Sequence, residues 1–160
     1  NKGIKMKKNI NEWLDEYGES HKHPTNKIIH WICVPLITIT LLGLLSLVDI
    51  LNNDSYNINL ASIFIVFALI FYFRLSITLT IGMLFFTGTT MHYLQIFKNS
   101  YLQENLIQIY LIVFVISWIG QFIGHKIEGK KPSFFQDIQF LLIGPVWLLS
   151  FIYKKLNIKI

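Results

Sequence analysis

Polar side chains able to bind a metal ion stand at the ends of apolar stretches in this sequence. Asn26 and His30 are spaced i and i+4 where one stretch begins, while Gln121, His125 and Glu128 are spaced i, i+4 and i+7 where another ends. On a helix, each spacing places its members on one face. Neutral imidazoles bind iron, zinc, copper or nickel, and neighbouring carboxamides and carboxylates orient such ligands. The pattern therefore predicts a metal site or, alternatively, helix caps that contact lipid headgroups.

The remaining histidines differ in where they stand along the chain. His21 and His23 precede the apolar stretch that His30 opens, and His125 closes the fourth such stretch. His92 stands about 18 residues beyond the turn between the second and third stretches, which is roughly 27 Å along a helix. We therefore expect His92 to be structural and to lie near the opposite surface from the other histidines.

The composition indicates a membrane protein. The chain has 160 residues, of which 53% are hydrophobic, and its mean hydropathy is +0.51. Charged residues make up 14%, against roughly 25% in typical soluble proteins. The net charge of +5 is not arranged as a basic stripe with interleaved aromatic residues, which argues against nucleic-acid binding. The single cysteine, Cys33, excludes an internal disulfide and a multi-cysteine metal site.

Uncharged stretches long enough to cross a bilayer as helices dominate the chain, because a span needs about 20 apolar residues. Four of them cover residues 28–48, 55–73, 75–97 and 105–124. A fifth apolar run, 138–153, is shorter and is interrupted by Gly144–Pro145. Ahead of the first stretch, apolar residues recur at helical spacing over 10–17. That segment predicts an amphipathic helix at the membrane surface.

Lysine and arginine placement sets the orientation of these stretches. The N-terminal segment, the turn at Arg74 and the segment 125–137 carry most of the positive charge, which places them on the cytoplasmic side. The tail is also basic, so the short fifth run is expected to re-enter the membrane, with a fifth span as the alternative. Gly120 and Gly124 form a G-x-x-x-G pair that allows close helix packing. We expect this pair to bring the fourth helix against the first.

Together these patterns predict the fold class. The chain is expected to be an all-α integral membrane protein with four transmembrane helices, an N-terminal amphipathic helix and a short C-terminal re-entrant or fifth membrane helix. Its length suits a single membrane-embedded domain over residues 1–160, with the polar cluster facing the cytoplasm.

Three sequence segments resemble a known family. The segments "YGESHKHPTNKIIHWICVP", "WIGQFIGHKIEGKKP" and "FLLIGPVWLL" resemble the 2-hydroxy fatty acid dioxygenases, and the resemblance extends over residues 17–149. The motif residues are Tyr17, His21, Asn26, His30, Gln121, His125, Glu128 and Pro132. Two departures are Cys33, where the family commonly has glycine, and a spacing between His125 and Glu128 that is one residue shorter than in the fungal form.

The resemblance implies an enzyme of fatty acid α-oxidation. Members are integral membrane proteins that use Fe²⁺ and O₂ to shorten a 2-hydroxy fatty acid by one carbon, so the domain is expected to be catalytic. By resemblance the iron ligands are His21, His30 and His125. Three imidazoles leave three of six positions, enough for a chelating 2-hydroxy acid and O₂. A site of two histidines and the Glu128 carboxylate is the alternative.

The other site residues take supporting roles in this interpretation. Glu128 is expected to bind an imidazole N–H or relay a proton, and the further catalytic residues are Tyr17, Asn26 and Gln121. Lys130 and Lys131 are candidates for binding the substrate carboxylate. They also suit a purely topological role as membrane-orienting charges.

Two other functional classes fit the same pattern. A membrane cytochrome could hold haem between two histidines on facing helices. A non-catalytic lipid-binding or adaptor protein could use the polar residues to contact headgroups. A zinc peptidase is disfavoured because the H-E-x-x-H motif is absent.

Overall fold

The computed structural model describes residues 9–53, 56–99, 103–129 and 140–160. Within these ranges the chain is almost entirely helical, as the sequence predicted, with one short antiparallel hairpin. The elements are α1 (Ile10–Glu19), α2 (Pro24–Ser46), β1 (Asp49–Asn53), β2 (Tyr56–Asn59), α3 (Leu60–Phe73), α4 (Ile77–Lys98), a 3₁₀ turn (Gln103–Asn105), α5 (Leu106–Ile127) and α6 (Ile143–Lys155).

Two helices, α2 and α5, are long and apolar enough to cross a membrane in the part of the chain that is described. They have 23 and 22 residues, and the most apolar 18-residue stretch of each has a mean hydropathy of 2.3 and 2.1, respectively. At about 1.5 Å per residue they extend roughly 33–35 Å, enough for a hydrocarbon core of about 30 Å. The helix α4 also has 22 residues, but its threonines and glycines make it less apolar. Of the four predicted spans, two are therefore both long enough and apolar enough to cross a membrane.

The hairpin occupies the start of the predicted second span. Strand β1 pairs with β2, with Asp49 opposite Asn59. The Asn59 side chain then accepts a hydrogen bond from the Ser62 N–H at 3.0 Å, which caps α3 and fixes its first residue at Leu60. The helix that follows has 14 residues, or about 21 Å, because the chain remains extended up to Asn59. Periodicity did not reveal this, since the residues of β2 are uncharged and join the apolar stretch without a break.

Helices α2 and α5 make the most extensive helix–helix contact of the described elements. A Cβ atom at Gly120 would lie 2.7 Å from the Cys33 Sγ, and one at Gly124 would overlap the Asn26 Oδ1. Neither position has room for a larger residue unless the facing side chain or α2 itself moves. The close approach predicted from the G-x-x-x-G pair is confirmed, and it places the end of α5 beside the start of α2.

The amphipathic helix α1 lies where the sequence predicted it. Asn9 and Glu12 form a capping box at its start, and its buried face contains Ile10, Leu14 and Tyr17. Because this face packs against α6, α1 covers the end of the bundle at which α2 begins. Pro24 then occupies the first turn of α2, where its missing N–H costs no hydrogen bond.

The C-terminal helix α6 ends at the same end of the molecule at which α2 begins. Lys154 lines one groove together with Lys22 and Lys27, so the 13 residues of α6 do not carry the chain to the opposite end. This geometry favours the re-entrant alternative over a fifth span. Gly144–Pro145 was expected to break the apolar run, and the structure places this pair within the first turn of α6. A proline is tolerated there, so it starts the helix and does not interrupt it.

Candidate metal centre

Three histidines from separate elements meet between α1, α2 and α5. His21 follows α1, His30 lies on α2 and His125 lies near the end of α5. One nitrogen from each ring lies within 4.8 Å of the others, and the side chains are only 2%, 0% and 7% exposed. We call this set the histidine triad. It is the group of potential ligands that the described residues bring together with metal-compatible spacing.

Backbone carbonyls determine which nitrogen of two triad rings can bind a metal. The Nδ1 of His21 lies 2.5 Å from the Tyr17 carbonyl oxygen, and the Nδ1 of His30 lies 3.0 Å from that of Asn26. A carbonyl oxygen only accepts, so each Nδ1 must carry the proton and donate. The Nε2 of each ring then holds the lone pair that a metal ion requires. Both rings are thus in the tautomer that suits a divalent transition metal.

Aromatic packing fixes the orientation of His21. The Tyr17 ring stacks on the His21 ring with centroids 4.3 Å apart and planes inclined by 14°. Trp147 of α6 lies 5.2 Å from both rings. Tyr17 was predicted from the family motif, whereas Trp147 was not assigned a role, although it lies in the third matching segment. These large side chains exclude water from one side of the triad.

Gln121 lies one helical turn before His125 and is buried. It lines a small cavity of about 20 Å³ together with Tyr17, Trp118 and Gly144. The structure therefore places Gln121 at a void where α1, α2, α5 and α6 meet, one turn of α5 from His125.

Glu128 connects the end of α5 to the α1–α2 connection. Its two carboxylate oxygens accept hydrogen bonds from the N–H groups of Lys22 and His23, both at 2.8 Å, and from the Asn26 amide at 3.1 Å. Burial raises the pKa of this carboxyl, whereas the hydrogen bonds that it accepts lower it, and the pKa of Glu128 lies below its ordinary value. The carboxylate also stands at the N-terminus of α2, where the helix dipole favours negative charge.

Asn26 occupies the centre of this network. It is fully buried, and its amide donates to the Ser20 carbonyl at 3.0 Å as well as to Glu128. Its own carbonyl accepts from His30, and its side-chain oxygen presses against Gly124. One residue thus links the positions of His30, the preceding turn and the end of α5.

The other candidates lie apart from the triad or outside the described residues. His23 is the N-cap of α2, where its exposed ring accepts a hydrogen bond from the Thr25 N–H at 3.2 Å. His92 lies on α4, 15 residues beyond the first residue of that helix, and its exposed ring lies beside Tyr93. Lys130 and Lys131 lie outside the residues that the structure describes.

Other lysines lie close to the triad. A groove of about 360 Å³ is lined by His21 together with Lys22, Lys27 and Lys154. The sequence positions of these lysines predict only a role as topological charges. Because Lys27 and Lys154 are 127 positions apart, no local pattern could have associated them.

Comparison with known proteins assigns the family. Residues 7–156 match the family model described as "2-hydroxy-palmitic acid dioxygenase Mpo1-like". The chain belongs to the Mpo1-like family. Among curated proteins, it is 28% identical over 144 residues to the 2-hydroxy-palmitic acid dioxygenase MPO1 of Saccharomyces cerevisiae, covering 88% of this chain and 78% of the yeast protein. No solved structure matches the chain.

Membership of the Mpo1-like family confirms the resemblance seen in the sequence and the enzyme class that it implied, a dioxygenase among the oxidoreductases. The histidine triad could bind the metal that such a family suggests.

Proposed function

We propose that this protein is a membrane-bound, non-haem Fe²⁺ dioxygenase that shortens 2-hydroxy fatty acids by one carbon. The observation that carries the proposal is the histidine triad, three buried imidazoles from three elements, in a chain of the Mpo1-like family. The overall reaction balances as one 2-hydroxy acid and one O₂ giving the shorter fatty acid, CO₂ and water. The carbon–carbon bond that breaks joins the carboxyl carbon to the hydroxyl-bearing carbon.

The triad residues are the proposed iron ligands. His21 and His30 offer Nε2 because their Nδ1 atoms donate to backbone carbonyls, and His125 completes the set. Bound Fe²⁺ would supply the electrons that allow O₂ to react with an organic substrate. Three neutral imidazoles leave the charge of a divalent ion uncompensated, which favours an anionic carboxylate as substrate.

The surrounding residues act on the ligands. Tyr17 holds the His21 ring by stacking and through its carbonyl. Glu128 and Asn26 tie the turn that carries His21 to the end of α5 that carries His125. We propose that Glu128 is a positioning residue, and that Gln121 reaches the substrate from the adjoining cavity. Lys130 and Lys131 remain proposed contacts of the substrate carboxylate.

The charge at the triad end of the molecule indicates how the chain is oriented in the membrane. We infer that α3 and α4 complete four membrane-embedded helices with α2 and α5, and that the triad faces the cytoplasm. The support is the concentration of lysines at the triad end and the location of Asp49 and the hairpin at the other end. Such a site meets the carboxylate at the membrane surface while the acyl chain stays in an apolar environment.

Turnover by the purified protein tests the proposal. The protein is isolated anaerobically in detergent, loaded with Fe²⁺, and mixed with O₂ and 2-hydroxypalmitic acid, and the product is identified by mass. We expect pentadecanoic acid, no reaction with palmitic acid, and no reaction after loading with Zn²⁺. His125→Ala should abolish turnover, while His92→Ala serves as the matched histidine control. Full iron loading without one-carbon shortening would refute the proposal, and a strong Soret band would favour the haem alternative.

A further inference from the structure

A groove and a cavity follow one another along α2 and α6, and together we call them the α2–α6 crevice. Its wide end is the groove that contains His21, with Lys27 on α2 and with Phe151 and Lys154 on α6. Lys22 and the carboxylates of Asp15 and Glu19 also line this groove. Three lysines and two carboxylates leave the groove with net positive charge next to a potential metal ligand.

The inner end of the crevice is apolar. It is a cavity of about 150 Å³ lined by Trp31 and Pro35 of α2, by Leu148 and Ile152 of α6 and by Phe86 of α4, among other apolar residues. No charged side chain lines it among the described residues. Cavities of about this size with apolar linings stay dry and bind hydrocarbons.

Two aromatic rings lie between the groove and the cavity. Phe151 lines the groove and Trp31 lines the cavity, and their centroids lie 6.1 Å apart. On α2, Lys27, Trp31 and Pro35 are spaced four residues apart, so they form one stripe about 12 Å long. The stripe changes from charged to aromatic to apolar in the direction that leads from the triad end into the bundle.

We propose that this α2–α6 crevice binds the acyl chain of the substrate, with the carboxylate end towards the groove at His21 and the hydrocarbon over Trp31 in the cavity. The inference rests on the proposed function for the identity of the acid, and on the charge gradient along α2 and the presence of His21 in the groove for the location. Trp31 and Ile152 are 41% and 44% exposed at the rim, so an acid dissolved in the bilayer can enter sideways between the two helices.

Burial of the chain sets the expected size of the effect. Each methylene transferred from water into an apolar site contributes about 0.8 kcal/mol, or roughly fourfold in affinity, and less when the acid comes from a lipid phase. A side chain that excludes three methylenes from the cavity therefore weakens binding of a long acid by up to about sixtyfold. An acid too short to reach the cavity is unaffected.

Filling the cavity tests this inference. Ile152→Trp adds bulk at its rim, and Ile112→Trp is the matched control, because Ile112 is 58% exposed on α5 and does not line the cavity. We expect Ile152→Trp to raise KM for 2-hydroxypalmitic acid at least tenfold and to leave KM for 2-hydroxyhexanoic acid unchanged. Binding of tritiated palmitic acid, measured by scintillation proximity, should weaken in parallel, and the control should match the parent protein in both assays.

A second pair of variants covers a failure of Ile152→Trp to fold. Phe86→Ala enlarges the cavity and should shift the preferred chain length upwards, whereas Phe85→Ala, at a 77% exposed neighbour, should not. Unchanged chain-length preference and palmitate binding in the folded cavity variants would overturn the inference. Palmitic acid has no hydroxyl group, so its binding reports on the crevice even if no 2-hydroxy acid is turned over, which would refute only the proposed function.

Discussion

Replacing Gly124 with alanine should move His125 away from His30 without a substitution at any triad histidine. A methyl group at this position would overlap the Asn26 Oδ1 and lie 3.4 Å from the His30 Cε1. Asn26 is fully buried and held by Ser20 and Glu128, so it has little room to rotate away. To restore contact distances of about 3.5 Å, α5 must therefore move away from α2 by roughly 1 Å.

The size of the effect follows from opposing contributions. Alanine in place of glycine stabilises a helix interior by about 1 kcal/mol, while overpacking a close interface costs about 1–3 kcal/mol. Loss of the Asn26–Glu128 hydrogen bond, which involves a charged group, adds about 1.5–3 kcal/mol. The free energy of unfolding should thus fall by about 1.5–5 kcal/mol. A shift of about 1 Å between His125 and its partners should cost about a hundredfold in turnover, and metal affinity should fall as well.

The assay compares Gly124→Ala with Gly88→Ala in detergent by thermal unfolding, iron stoichiometry and turnover. A Cβ at Gly88 on α4 meets nothing within 4 Å, so the control should retain metal and activity. Asn26→Ala removes the overlapping oxygen, so the two substitutions combined should cost less than the sum of each alone. Iron affinity and turnover in Gly124→Ala equal to those of Gly88→Ala would show that the helix contact does not position the triad.

Three further predictions address the ligands, the carboxylate and the topology. Alanine at any triad histidine should abolish iron binding, whereas His92→Ala should retain it; iron loss in a folded His92→Ala protein would contradict this ligand set. Glu128→Gln should keep iron but lose about 10–100-fold in rate; an emptied site would favour the carboxylate as a ligand. Because folding lowers the pKa of Glu128, its ionised carboxylate stabilises the folded state above the ordinary glutamate pKa of about 4.3, and this stabilisation is lost as pH falls through the pKa of the folded state. The free energy of unfolding of Glu128→Gln should not show this loss at acid pH. In a cysteine-free background, single cysteines that replace Lys22 and Lys154 should be labelled from one side of the membrane, and a cysteine that replaces Asn52 should be labelled from the other side. Labelling of the two lysine positions from opposite sides would refute the re-entrant arrangement.

Local spacing was sufficient for the parts of the fold that depend on nearby residues. The i, i+4 relation of Asn26 and His30 becomes a hydrogen bond between the His30 ring and the Asn26 carbonyl. The repeat of apolar residues over 10–17 becomes the buried face of α1. The glycine pair at Gly120 and Gly124 predicted a close helix contact, because the absence of a side chain at two positions one turn apart is visible in sequence alone.

The pairing of β1 with β2 and the position at which α6 begins depend on contacts that local spacing does not encode. The uncharged stretch 55–73 predicted a complete span, but pairing of β2 with β1 keeps its first residues extended until Asn59 caps α3. Gly144–Pro145 indicated a break, while packing of Gly144 against Tyr17 and Val34 determined that α6 starts there.

The sequence by itself determined which residues are available for chemistry: histidines at the ends of apolar helices, with an amide and a carboxylate at helical spacing from them. Only the tertiary structure decided their partners. Glu128 was expected beside an imidazole, yet its oxygens accept from backbone groups at Lys22 and His23, more than 100 positions away in the chain. The physical reason is that helical periodicity fixes which face a side chain occupies, whereas the contact between two faces depends on how closely the helices approach, and that depends on packing between distant segments.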